Sequence, residues 1–206
     1  MNSLFSRRLV AAALLASSTL LTGCAPLLIG GAAVGGMMVY SDRRTSGTQL
    51  EDQSIEMKAA NRARDIVGDR GHVNATSYNR VVLITGEVPT EAERAAVEKS
   101  IVQVENVKST VNELAVMGPT SMTGRSNDTV LSSKVKATFV DAKDLQSNAF
   151  KVVTERGTVY LMGRVTEREG DRATELARSV AGVQRVVRVF EFLSEAELAA
   201  IGQQKK

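Results

Sequence analysis

Two side chains with chemical potential occur once each in the 206 residues: Cys24 and His72. Single copies exclude a His–His metal site, a CxxC pair, an internal disulfide and a Cys₂His₂ finger. A Ser-His-Asp triad would have to use His72. His72 stands beside Gly71, just before an apolar strand pattern, and no second His or Cys accompanies it. It reads as a surface or strand-edge histidine. Glu167, Glu169 and Asp171 offer the carboxylates that glycan hydrolysis needs, but acidic residues opening a helix are accounted for by the helix dipole. Gly86 and Gly163 end strands, allow close backbone approach and sit in neither a GxxxxGK nor a GxGxxG setting. The residues therefore predict no enzyme, no catalytic group, no metal and no cofactor.

Cys24 has a more specific context. Arg7 and Arg8 precede the apolar run Leu9–Leu20, as in a secretory signal. The run leads to Leu21-Thr22-Gly23-Cys24, which resembles the bacterial lipobox. That resemblance implies cleavage before Cys24, diacylation of its sulfur and acylation of its new amine. One acyl chain holds a protein marginally at a bilayer, whereas two or more hold it stably. An Asp after the cysteine marks inner-membrane retention in enterobacteria. Ala25 stands there, so the expected location is the periplasmic face of the outer membrane. The 33 uncharged residues between Arg8 and Asp42 have room for a membrane span of ~20 residues. Thr22-Gly23, Pro26, Gly30-Gly31 and Gly35-Gly36 interrupt them, and Leu27–Tyr40 reads as a membrane-adjacent tether.

Charge and composition limit the partners. The chain is 43% apolar and 24% charged, as folded proteins are, with eight aromatics and no Trp. Its formal charge of +3 falls to +1 without the two arginines of the leader, 24 basic residues against 23 acidic. A nucleic-acid binder would carry a basic excess with stacking aromatics, so nucleic acid is not an expected partner. Residues 52–117 hold 8 basic and 10 acidic side chains, and residues 128–193 hold 11 and 9. The second half is the one better suited to an anionic surface.

The chain is duplicated. Val82-Leu-Ile-Thr-Gly-Glu-Val88 aligns with Val159-Tyr-Leu-Met-Gly-Arg-Val165, and Val104-Glu-Asn-Val107 aligns with Val180-Ala-Gly-Val183. Ile55, Ala59, Ala63 and Ile66 recur at helical spacing, while Phe150, Val152 and Thr154 alternate as a strand does. Glu155-Arg-Gly-Thr158 supplies a hairpin turn and Thr90-Glu-Ala-Glu93 a capping box. β-branched segments at Val107–Val116 and Val183–Leu193 follow each charged helix. The expected class is α+β, with two tandem small domains, each a three-stranded mixed sheet packed against helices. The expected boundaries are a signal peptide at 1–23, lipidated Cys24 and tether at 24–51, a first domain at 52–117, a linker at 118–127, a second domain at 128–193 and a tail with a short helix at 194–206.

Gly86-Glu-Val-Pro-Thr-Glu-Ala-Glu-Arg with Val104-Glu-Asn-Val107 and Val111-Asn-Glu-Leu114 resembles the BON domain. Gly163-Arg-Val-Thr-Glu-Arg-Glu with Val180-Ala-Gly-Val183 and Val186-Val187 does so again. With the flanking Ser41-Asp-Arg-Arg-Thr-Ser-Gly47 and Asn127-Asp-Thr129, nearly the whole mature chain is similar to the dual-BON outer-membrane lipoproteins of Gram-negative bacteria. The resemblance implies that the second domain binds anionic phospholipid and that the protein supports outer-membrane integrity. Its first helix, expected over Thr129–Ala142, would present Val130, Val135 and Val140, with Lys134 and Lys136 beside them. Leu131, Val135 and Phe139 are also spaced as a core stripe, so Val135 fits either role. An alternative is a protein-binding scaffold for envelope-assembly, cell-division or cell-wall machinery, with lipid serving only as anchor. Replacing Cys24 with Ala is expected to block lipoprotein processing and abolish incorporation of labelled palmitate. Continued labelling of that variant would contradict the lipobox reading.

Overall fold

The computed structural model describes residues 42–204, and the signal segment, Cys24 and the Gly-rich stretch Leu27–Tyr40 lie outside them. The first repeat comprises α1 (Ser46–Val67), β1 (His72–Tyr78), β2 (Val81–Val88), α2 (Glu91–Val102) and β3 (Ser109–Val116). The second comprises α3 (Met122–Asp141), β4 (Phe150–Glu155), β5 (Thr158–Val165), α4 (Glu167–Ser179) and β6 (Arg185–Phe192), and α5 (Glu195–Gln204) closes the chain. Each sheet has its hairpin product in the middle: β2 pairs antiparallel with β1 and parallel with β3, and β5 pairs likewise with β4 and β6. The parallel pair in each repeat is joined by a helix, as crossovers require.

Local chemistry explains the hairpins. Asn79 and Arg80 in the first turn, and Arg156 and Gly157 in the second, all have positive φ, the conformation that matches the twist of two-residue hairpins. A buried aspartate from the preceding helix holds each turn. Asp52 accepts from the backbone N–H groups of Asn79 and Arg80 at 2.8 Å. Asp128 accepts from those of Arg156 and Gly157 at 2.8 and 2.9 Å. The two glycines do allow close approach, inside strands that continue two residues beyond them. A Cβ on Gly86, whose φ is +115°, would lie 2.0 Å from the His72 carbonyl oxygen.

Two helical boundaries differ from expectation. Helix α3 begins at Met122 and not at Thr129, so the expected linker 118–127 is largely helical. Gly124, Ser126 and Asn127 have low helix propensity, but the Ser121 hydroxyl caps the Gly124 N–H at 3.2 Å and starts the helix early. Helix α1 likewise begins at Ser46, capped by Thr45, ahead of the expected boundary at residue 52.

Each sheet is buried on both faces. On the helix side, Val82, Ile84 and Val88 pack with Ile55, Ala59, Val97 and Ile101 in the first repeat. Val159, Leu161 and Val165 pack with Val135, Phe139, Ala173 and Ala177 in the second. The opposite faces meet each other: Tyr78, Leu83, Tyr160 and Met162 form one cluster, edged by Val111, Val153, Val187 and Val189. Strand alternation separates the two cores.

The segment before α1 is tied to the second repeat. Arg43 reaches Glu169 through two bonds, Nη2 to Oε1 at 2.6 Å and Nη1 to Oε2 at 2.8 Å, with both side chains buried. Glu169 is also the third residue of α4 and completes a capping box with Thr166. Glu167 and Asp171 are exposed and pair with Arg188, whereas the Glu169 carboxylate has a structural role. Burial works against its charge, but the Arg43 guanidinium and the Thr166 N–H outweigh it and hold the carboxyl below its ordinary value of 4.5. Ion pairing therefore stabilises the fold above about pH 4.5 and is lost as pH falls through the lowered value. Replacing Arg43 with Gln leaves that carboxylate buried without its cation and is expected to cost about 3–5 kcal/mol at neutral pH. Urea denaturation against pH should show this loss and a flatter acid-side decline in the variant.

Candidate membrane-facing site

The helix that opens the second repeat carries the side chains expected to meet a membrane. Helix α3 packs Leu131, Val135 and Phe139 inward, at four-residue steps. Val135 is wholly buried and belongs to the core cluster, so it cannot share an exposed face with Val130 and Val140. This corrects the three-valine face. Five residues advance a helix by about 500°, which leaves Val135 about 140° around the axis from Val130.

Val130 and Val140 are 54% and 69% exposed. With Ser133 and Ala137, also exposed, they form a stripe at steps of three, four and three, opposite the core residues. The stripe carries no charge along its length. Lys134 and Lys136 flank it, both exposed, and among the described residues neither side chain forms an ion pair. Met122, 74% exposed, extends the uncharged surface at the start of the same helix. Beside Val130 and Lys134 opens a cavity of about 390 Å³, walled by Asn127, Gly157, Gly182 and Gln184.

The first repeat supplies a comparison within the molecule. Asp52, Ile55, Ala59 and Ala63 of α1 occupy the places of Asp128, Leu131, Val135 and Phe139 of α3. At the same offset, Ser54 stands for Val130, Met57, itself 66% exposed, for Ser133, Asn61 for Ala137 and Arg64 for Val140. Shared core positions keep the fold, while among the outward positions the second copy has valine in place of Arg64 and serine in place of Met57. Lys134 has a counterpart in Lys58, which lies 3.5 Å from Glu105.

His72 is at the strand edge expected of it, but its surroundings were not legible. Its ring lies near Glu87 on β2 and Glu155 on β4, two acids that are far apart in sequence and both buried. Burial and the nearby Arg125 charge keep the imidazole below its ordinary 6.5. Burial and the Glu87 charge push the Glu155 carboxyl above its ordinary 4.5. Among the described residues, no helix is long and apolar enough to cross a membrane.

These features define a class: duplicated α/β units joined face to face through their sheets, with helical layers outermost. The BON domain model matches residues 56–118 and 127–193, and the chain belongs to the BON-domain family. Outer membrane lipoprotein DolP of Haemophilus influenzae is 37% identical over 185 residues, covering 88% of this chain and 95% of that protein. Osmotically-inducible protein Y of Escherichia coli is 30% identical, covering 73% and 77%. The 21 kDa hemolysin of Actinobacillus pleuropneumoniae is 28% identical, covering 74% and 79%.

Proposed function

We propose that this protein is a non-enzymatic outer-membrane lipoprotein, anchored through Cys24 and facing the periplasm, that binds anionic phospholipid through α3 and so supports membrane integrity. The observation that carries the reading is the Val130–Ser133–Ala137–Val140 stripe, flanked by two lysines that form no ion pair among the described residues. Apolar tips enter the interfacial region while ammonium groups meet phosphate, the division of labour found on interfacial helices. Similarity to a protein named as an outer membrane lipoprotein over 95% of its length supports the location. Lys134 belongs to the site as a headgroup contact and Val135 supports it from the core.

The variants Val130→Glu and Val140→Glu place a carboxylate against the anionic surface and remove an apolar contact of ~1.5–3 kcal/mol at full insertion. Each is expected to keep its circular dichroism and melting temperature and to bind phosphatidylglycerol vesicles ten- to a hundredfold more weakly, since ~1.4 kcal/mol is tenfold. Val135→Glu is expected instead to unfold the second domain. Full vesicle binding by folded Val130→Glu and Val140→Glu would contradict the assignment. Recruitment that requires a membrane protein would favour the scaffold reading.

A further inference from the structure

A second polar cluster lies at the contact between the two domains, away from the outer face of α3. The first domain contributes His72, which opens β1, and Glu87 near the end of β2; these residues are cross-strand partners. The second contributes Glu155, the last residue of β4. One ligand atom from each of the three lies within 4.8 Å of the others, and His72 Nδ1 is 3.7 Å from Glu87 Oε2. Two of the groups are left short of partners. His72 Nδ1 is fully enclosed and makes no hydrogen bond among the described residues. Glu155, 3% exposed, accepts from the Asn74 amide at 3.3 Å and forms no ion pair among the described residues. A cavity of about 350 Å³ reaches this place, lined by His72, Asn74, Glu155, Arg125 and Ser132.

Two arginines reach the cluster: Arg125, whose charge acts on His72 and whose enclosed Nε makes no hydrogen bond among the described residues, and Arg156, which is paired with Glu87. Its Nη1 donates to Glu87 Oε1 at 2.7 Å and to the Gly86 carbonyl at 2.8 Å. Thr120 donates its hydroxyl to the same Oε1 at 2.6 Å and its N–H to Oε2 at 3.1 Å. Oε2 retains the lone pair that faces His72. Asp128 is committed to the β4–β5 turn. With Glu87 matched by Arg156, Glu155 has the Asn74 amide as its hydrogen-bond donor and the enclosed nitrogen of His72 has none among the described residues, and buried polar groups short of partners are costly.

We propose that His72, Glu87 and Glu155 form a binding site for a divalent transition-metal ion, Zn²⁺ by its ligand set, that bridges the two domains. One imidazole and two carboxylates make a borderline-soft N/O set with a fourth position open to water. Zinc bonds of about 2.0–2.2 Å require ligand atoms about 3.4 Å apart, so the side chains close inward on the ion by roughly an ångström. The two carboxylates come from different repeats, an arrangement invisible to motif spacing. The ion would couple β1 and β2 to β4, across the same contact that Arg156 and Glu87 already bridge.

The test is calorimetric titration of ZnCl₂ into the full-length chain in detergent after chelator dialysis. The expected result is one ion per chain and a rise in melting temperature. Glu155→Gln and His72→Gln should each bind at least tenfold more weakly and lose that rise. Co²⁺ loading of the unaltered chain gives a readout that does not depend on the variants folding: its visible spectrum should show nitrogen and oxygen ligands. Absence of binding by the unaltered chain would overturn the proposal. So would wild-type affinity in either variant, or a Co²⁺ spectrum of oxygen ligands alone, which would exclude the His72 ring.

Discussion

The contact on which this molecule depends is the one between its two sheets. A unit of about 65 residues buries a small core and is marginal alone. Here each sheet packs helices on one face and the other sheet on its second, through Tyr78, Leu83, Tyr160 and Met162. The consequence is visible in β2, where every residue from Val82 to Val88 is buried. Closing the sheets against each other leaves the helices as the outermost layer. Any broad surface for a partner must therefore be built on helices or on the seam where the domains meet.

That constraint explains where the copies were free to diverge. Inward positions of α1 and α3 are apolar in both, and both helices keep an aspartate over the neighbouring turn. Outward positions answer to no core. There α1 has Ser54, Met57 and Arg64 where α3 has Val130, Ser133 and Val140. Under the proposed function, Val130 and Val140 meet a partner that is itself apolar beneath a charged surface.

Much of the fold was legible because repetition printed each signal twice. Paired Gly-containing strands, the Arg156-Gly157 turn and the acid-rich helix starts gave class, order and topology. Helix boundaries were less legible, since Gly124, Ser126 and Asn127 look like a linker and become helix only through the Ser121 cap. The face of α3 was half legible: Val130 and Val140 were named, while Val135 was ambiguous until packing put it inside. Three features could not be read from spacing at all. The Arg43–Glu169 pair, the Asp52 and Asp128 turn clamps and the His72–Glu87–Glu155 cluster join residues separated by tens of positions. Equivalent aspartates 76 residues apart were the one available hint.

The central claim, that α3 of the second domain enters the lipid surface, is open to direct measurement because the chain contains no tryptophan. Single tryptophans at Val130, at Val140 and, on the first domain, at the equally exposed Leu50 give three positional probes. Fluorescence of residues 42–206 with vesicles of brominated phosphatidylglycerol should show quenching and a blue shift at 130 and 140, and neither at 50. Equal quenching at all three positions, or none at 130 and 140 while the protein is vesicle-bound, would contradict the account.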